Sequence, residues 1–459
     1  VDVAAIYQKG GDLRKIWSIA WPGSLSMLLF TSLSLVDLKW ISFLGTAPVA
    51  AVSLCTNIVF IIFGASYIVY AGTLALVSRA LGAGDQPAAR TSLFHALVLA
   101  ALLGLLCAGL GYLISPPLIG FFDLEPEVER LSIIYLRLLF LHFFFLTFET
   151  PLIAGFNAAG DTRTPLVING IAVLANVILA PVLIYRPGEM VKAGLDLGYF
   201  GWGIFGAGLA TVFAAMLSAA LFFALLPTRR FPIHWPTRQL GPWDPGELTR
   251  IIRIGVPASL AHIFRPLSTL LLQKILAGYG TGPIAGFGIG LRWLGINWIF
   301  FGGLGLAVSA LTGQHLGAGS PERAEAMIRR GFLLAFLVQA VSTAAYFGWA
   351  APLVAFMDPS PETLEPGVAF LQWIAVSLMF SSIGGVAAAA LVGAGDTQPL
   401  MVNAFLSNWL VKLPLAWVLA QPLGLGPTGI WAAMAVSLVV EGIINLLWYR
   451  SGSWKRRVI

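Results

Sequence analysis

Charge is what this chain of 459 residues has least of: 10% of it is Asp, Glu, Lys or Arg, against 58% apolar residues. Soluble domains carry roughly a quarter of charged residues, so the scarcity excludes a water-facing fold and leaves lipid as the solvent. Cysteine is nearly absent too. Cys55 and Cys107 both fall inside apolar stretches, so neither a disulfide framework nor a metal cluster is legible and no metal is expected. Gly82–Asp85 (GAGD) and Gly317–Ser320 (GAGS) imitate a phosphate loop, but no Gly-Lys-Ser/Thr follows either. With no nucleophilic triad visible as well, an ATPase or a membrane enzyme is excluded and no cofactor is expected. The formal net charge of +6 is not a nucleic-acid footprint either, because the cations are spread over alternate loops instead of one patch.

What is present is a succession of apolar runs of about 20 residues, each long enough for a hydrocarbon core of about 30 Å at a helical rise of about 1.5 Å. Twelve such spans run from 16–42 to 426–448. The first follows Lys9, Arg14 and Lys15, is too long for a signal-peptide core, and is expected to be retained as a helix. Arg79, Arg90, Arg163, Arg229, Arg230, Arg238, Arg250, Arg323, Arg329, Arg330, Lys455, Arg456 and Arg457 mark one set of loops. Asp123, Glu125, Glu127, Glu129, Asp358, Glu362 and Glu365 mark the other. The positive-inside rule then places both termini in the cytoplasm and the chain in an inner (cytoplasmic) membrane as a multi-pass protein.

The chain also repeats itself. When Pro22 is set on Pro257, Lys39 meets Lys274, and Gly45, Thr46 and Pro48 meet Gly280, Thr281 and Pro283. Further on, Leu81–Gly84 meets Leu316–Gly319, Asp123 meets Asp358, and Gly160, Asp161 and Thr162 meet Gly395, Asp396 and Thr397, all without a gap. Hydrophobicity alone does not place glycines, prolines and aspartates in register. Each copy holds six spans, an even number, so the copies are parallel repeats. The expected organisation is an all-α polytopic membrane protein with twelve transmembrane helices: an N-terminal six-helix lobe over 1–228, a cytoplasmic linker over 229–249 and a C-terminal six-helix lobe over 250–459. Two such bundles are expected to leave a cleft where transporters place substrate.

LGAGDQPAAR (81–90) and LGAGSPERAE (316–325), with GFNAAGDTRTP (155–165) and LVGAGDTQP (391–399), resemble the loops after helices 2, 8, 4 and 10 of the multidrug and toxic compound extrusion (MATE) family. The glycines suit tight turns, and Asp161 and Asp396 are expected to cap the helices that follow. The resemblance implies an antiporter that exchanges protons or sodium for amphipathic, often cationic, compounds. It also implies, for the bacterial and archaeal branch, a coupling site in the N-terminal lobe. Asp37 matches the acid of helix 1, Asn176 the Asn of helix 5 and Thr211 the Thr of helix 6. The second acid of helix 5 is missing, since Ala180 stands there, and a sodium site loses a carboxylate that a hard cation would use.

Three intramembrane carboxylates are functional candidates by default: Asp37, Glu149 and Glu441. Asn169 and Ala180 share a helix face with Asn176, and His142 shares one with Glu149. For Asp37 the choice is between ion coupling and a structural pair; for Glu149 and His142, between a proton path and a buried pair that holds helices together. Pro22, without a backbone donor, would let helix 1 kink. The second lobe differs chemically, because Arg265 stands where the first has Phe30, and Leu272 where it has Asp37. Arg265, His262 and Lys412 are expected to face an anionic or zwitterionic ligand, or else Arg265 pairs with Glu441 or another group of its lobe. Lys39 and Lys274 are expected as snorkelling anchors.

The leading expectation is therefore a proton-coupled, possibly sodium-coupled, exporter of small amphipathic substrates, monomeric, with lipid as its other partner. A flippase for a lipid-linked anion is the alternative, and a channel or receptor the third reading.

Overall fold

The computed structural model describes residues 12–189, 198–228, 230–233, 243–457 and 459. Lys9, Arg229, Arg238 and most of the expected linker lie outside the described residues. The rest is helical, with no strand among the described residues. We number the long helices α1 Asp12–Ser42, α2 Thr46–Gly82, α3 Gln86–Gly120, α4 Pro126–Ala158, α5 Arg163–Ile184 and α6 Gly203–Leu225. They continue with α7 Pro245–Leu276, α8 Thr281–Gly317, α9 Pro321–Gly348 and α10 Pro361–Ala394. Next comes α11, spanning Gln398–Ala420, and last α12, Gly426–Ser451. Among the described residues 11 helices are long and apolar enough to cross a membrane. The twelfth is α7, 32 residues long, whose hydropathy is lowered by His262 and Arg265.

Surfaces that water would not tolerate confirm the lipid solvent. On α3, Leu102, Leu105, Leu106, Leu110 and Leu113 are all more than half exposed, and their spacing makes one continuous apolar face.

The chain forms two compact units. The first holds Leu25–Val77 and Asp85–Ile252; the second holds the described residues as far as Ser24, then Ser78–Gly84 and Arg253–Ile459. In the first unit α4 packs on α3 and α6, and in the second its counterpart α10 packs on α8, α9 and α12. Three helices change unit along their length, for local reasons. The start of α1 packs on α8 with backbones in close approach: a Cβ on Gly303 would lie 2.2 Å from the Ala20 carbonyl oxygen and 2.3 Å from Ser24 Oγ. Gly82, at the end of α2, lies as close to Gln314. The first turn of α7 stays with the first unit, where Ser92 bonds to Glu247 and Asp244 N–H donates to His95 Nε2 at 2.9 Å.

The repeat is visible in the backbone. Gly84 and Gly319 (φ +74° and +65°) and Gly160 and Gly395 (φ +82° and +75°) take the left-handed conformation that ends a helix and that a side chain resists. The two aspartates behave differently. Asp161 Oδ1 accepts from Thr164 N–H at 3.0 Å and caps α5 as expected. Asp396 instead holds the C-terminal tail, accepting from Ser453 Oγ at 3.3 Å and lying 3.9 Å from Arg457 Nε.

Candidate functional site

In the first unit, α1, α5 and α6 bring Asp37, Asn176 and Thr211 together. Asn176 is fully buried, so both ends of its amide need partners. One orientation sets its oxygen against the Asp37 carboxylate, acceptor against acceptor. The other satisfies both ends: Nδ2 donates to Asp37 Oδ1 at 2.8 Å, and Oδ1 accepts from Thr211 N–H at 3.3 Å. We assign the second on that ground. Thr211 Oγ1 donates to the Ala207 carbonyl at 3.2 Å. His142, on α4, donates from Nδ1 to the Thr211 carbonyl at 3.3 Å, so it joins this cluster and is not bonded to Glu149.

The remaining candidates of this unit stand apart. Ala180 is buried in a cluster with Leu183, Ile184, Cys55 and Tyr135; Tyr135 lies within electrostatic reach of Asp37, and among these neighbours no second acid replaces the missing one. Asn169 is buried two turns earlier on α5 and takes no part in the Asp37 contact. Glu149 is 2% exposed, and its Oε2 has no hydrogen-bond partner among the described residues. Lys39 lies over the Phe43 ring at 4.9 Å, near the end of α1, where a lysine can reach the interface.

The second unit carries a larger polar cluster. Arg265 on α7 pairs with Glu441 on α12, and its guanidinium lies 4.7 Å from the centre of the Trp298 ring on α8. His262, one turn earlier on the same face of α7, is exposed. Lys412 is 2% exposed; its Nζ donates to Asn408 Oδ1 at 2.9 Å and to Thr269 Oγ1 at 3.5 Å. It lies within electrostatic reach of both Arg265 and Glu441. The structure thus brings Arg265 and Lys412 together and supplies a counter-charge for the first.

Lys412 is positioned by a feature that pattern reading missed. Residues Leu406–Lys412 form a π-helical stretch in α11, a form that is rare and concentrates at functional sites. Asn408 Nδ2 donates to the Ala404 carbonyl at 3.0 Å, replacing with its side chain the bond that its backbone would make in an α-helix. Its Oδ1 is thereby turned to Lys412. Upstream, Asn403 Nδ2 donates to the Glu441 carbonyl (2.9 Å) and to Asn445 Oδ1 (2.8 Å), while Asn403 Oδ1 accepts from Ser407 Oγ at 2.8 Å. The polar run Asn403, Ser407, Asn408, Lys412 inside an apolar span was the available signal. Among the described residues no group of three or more His, Cys, Asp or Glu could hold a metal.

Comparison with known proteins agrees with this architecture. The chain is 24% identical over 451 residues to a probable multidrug resistance protein NorM of Thermotoga maritima, covering 98% of this chain and 94% of that one. It is 26% identical over 365 residues to an FAD transporter of Shewanella oneidensis, covering 77% and 76%. A solved MATE structure in the bent conformation superposes with a TM-score of 0.90 at 21% identity, over 99% of both chains. The MatE family model matches twice, over residues 22–182 and 257–418, with the two matches starting at the paired prolines Pro22 and Pro257. A twelve-helix membrane protein whose two halves both match that model over most of their length belongs to the MatE family of multidrug and toxic compound extrusion transporters, which are not enzymes.

Proposed function

We propose that this chain exports amphipathic organic compounds in exchange for protons, by alternating access, from an inner membrane with both its termini in the cytoplasm. The observation that carries the reading is the contact in which Asn176 joins Asp37 to the backbone of Thr211, with one carboxylate and otherwise neutral groups. A hard cation prefers several oxygens with enough negative charge to offset its dehydration, and Ala180 contributes none. A proton needs one carboxylate. When Asp37 is ionised, the Asn176 N–H bond to it is charge-assisted; when it is neutral, that bond weakens, so α1 and α5 are held together differently in the two states. Pro22 leaves α1 one backbone donor short, in a helix whose start and end belong to different units, and serves as the hinge.

The substrate side of the proposal rests on the second unit, where Arg265 and Lys412 outnumber Glu441 and Trp298, Trp409 and Phe264 supply aromatic surface. Since Glu441 compensates Arg265, the uncompensated charge is that of Lys412, with His262 beside the pair. This set suits an anionic or zwitterionic amphiphile. The relative named as a transporter of FAD, a phosphate-bearing molecule, is in keeping with it.

Proton-gradient-driven efflux from proteoliposomes tests the coupling. Asp37→Asn, which keeps size and hydrogen bonding but cannot titrate, is expected to abolish gradient-driven export while substrate binding persists. Ala180→Asp is expected to introduce sodium dependence. Undiminished gradient-driven efflux by Asp37→Asn removes Asp37 from the mechanism and moves the search to Glu149.

A further inference from the structure

A groove on the second unit lies outside the polar cluster and has a composition of its own. Glu325, Arg329, Phe332, Leu333 and Phe336 of α9, Ile383 of α10 and Leu446, Tyr449 and Arg450 of α12 line a cavity of about 490 Å³. On α9 the spacing of 325, 329, 332 and 336 puts charge and apolar surface on one helical face, in sequence from the helix start inward. On α12, Arg450 and Leu446 share a face, with Arg450 at the matching end. The groove therefore has two guanidiniums at one end and an apolar channel behind them. Helix α10, which packs on both α9 and α12, lies under it.

The charged end is basic in net terms. Glu325 is held by Lys455 Nζ at 2.6 Å. Arg329 and Arg450 form no ion pair among the described residues, although Arg329 is within electrostatic reach of Glu325. The wall is fixed: the Tyr449 ring stacks on Trp454 at 5.5 Å and meets Phe332 edge-on at 5.4 Å. Trp454 Nε1 donates to the Tyr449 carbonyl at 3.0 Å, so the C-terminal turn Ser453–Arg456 backs the Tyr449 side of the groove.

We infer that this groove is a binding site for an anionic glycerophospholipid of the bilayer leaflet at this end of α9, with its phosphate between Arg329 and Arg450 and an acyl chain along Phe332, Phe336, Ile383 and Leu446. Two unpaired cations at headgroup depth above a channel of drug-sized volume match a diacyl anion. A neutral headgroup leaves both cations unmatched, and a free phosphate leaves the channel empty.

Native mass spectrometry of the detergent-purified full-length protein tests this, with phosphatidylglycerol, phosphatidylcholine of the same acyl chains, and glycerol 3-phosphate as probes. Wild type is expected to retain phosphatidylglycerol over phosphatidylcholine. The double variant Arg329→Gln/Arg450→Gln is expected to lose roughly 30-fold in phosphatidylglycerol affinity, the product of two basic residues near a membrane surface, with phosphatidylcholine unchanged. Ile383→Trp, which fills the channel and leaves the arginines in place, is expected to release the lipid as well. Equal retention of both lipids by wild type overturns the inference without any variant. So do glycerol 3-phosphate that displaces the lipid at matching concentration, a transported compound that does the same, and full retention by the double variant.

Discussion

The Arg265–Glu441 pair gives an asymmetric prediction. Arg265→Gln leaves Glu441 with Lys412 within electrostatic reach, a cluster of net charge zero. Glu441→Gln leaves Arg265 and Lys412 as two cations with no acid beside them. Coulomb attraction between unit charges at about 4 Å is worth about 4 kcal/mol at an effective dielectric of about 20. Desolvation of Glu441 takes back part of that. So does solvent screening of Arg265, whose side chain is 40% exposed, against 14% for Glu441. What is left is about 1–2 kcal/mol for Arg265→Gln and about 3 kcal/mol for Glu441→Gln, to which mutual repulsion of the two remaining cations adds. Equilibrium unfolding in mixed detergent micelles measures both, and the double variant closes the cycle with an expected coupling of about 1–2 kcal/mol. Equal losses, or strict additivity in the double variant, would refute a charge-compensated cluster. A third substitution separates charge from packing: Lys412→Met in the Glu441→Gln background is expected to recover part of the lost stability, because it removes the second orphaned cation.

Three further outcomes follow from particular contacts. Gly303→Val is expected to cost more than about 2 kcal/mol and to lower the yield of folded protein, because its Cβ would fall within 2.3 Å of α1 atoms; Gly288→Ala, with open space about four turns earlier on the same helix, should be silent, and thermal stability in detergent compares the two. Asn403→Leu removes two donors and an acceptor from a buried network and is expected to destabilise by about 2–3 kcal/mol in the same unfolding assay. Single cysteines introduced near Arg323 and near Glu362 should be labelled from opposite sides of the membrane in intact cells; labelling of both from outside would break the expected topology.

Most of the fold was legible because its determinants are coarse. Hydrophobic length fixes spans, and glycines at 84, 160, 319 and 395 fix where they stop, since a left-handed residue is needed at each of those helix ends. The unit boundaries were less so. That the start of α1 packs on α8 depends on Gly23 and Gly303 letting backbones touch, and single glycines inside apolar helices carry no visible sign of the helix they face. At the candidate sites, residue identity was legible but partnership was not. Asp37, Asn176 and Thr211 could be named together, whereas His142, seven residues from Glu149 on the same helix, turns to Thr211 instead. Helical spacing says which residues share a face, and only packing decides which neighbour that face meets. The polar run of α11 was visible, but its π-helical geometry was not, because i→i+5 bonding moves Lys412 off the face that an α-helical wheel assigns to it.

Divergence between the two copies then says more about function than their likeness does. The repeat keeps what builds a corner: Gly-Asp-Thr after α4 and α10, Leu-Gly-Ala-Gly after α2 and α8. At matching positions of α1 and α7 it keeps Pro22 and Pro257, then substitutes Arg265 for Phe30 and Leu272 for Asp37. A duplicated helix that had only to pack would tolerate apolar residues at both positions in both copies, and a charge within a membrane span at either one is costly unless something is gained. Each copy carries one such charge, of opposite sign and two turns apart along the helix. Each charge has also acquired its own partner, Asn176 for Asp37 and Glu441 for Arg265. Exchanging the pairs tests whether the division of labour is local. Asp37→Leu together with Leu272→Asp moves the acid into the second unit, where no counterpart of Asn176 awaits it and Lys412 and Arg265 are near. Retained expression without proton-driven export would show that the partner, and not the charge alone, makes the site in the first unit. Restored export would show that an acid on either copy is enough and would remove Asn176 from the argument.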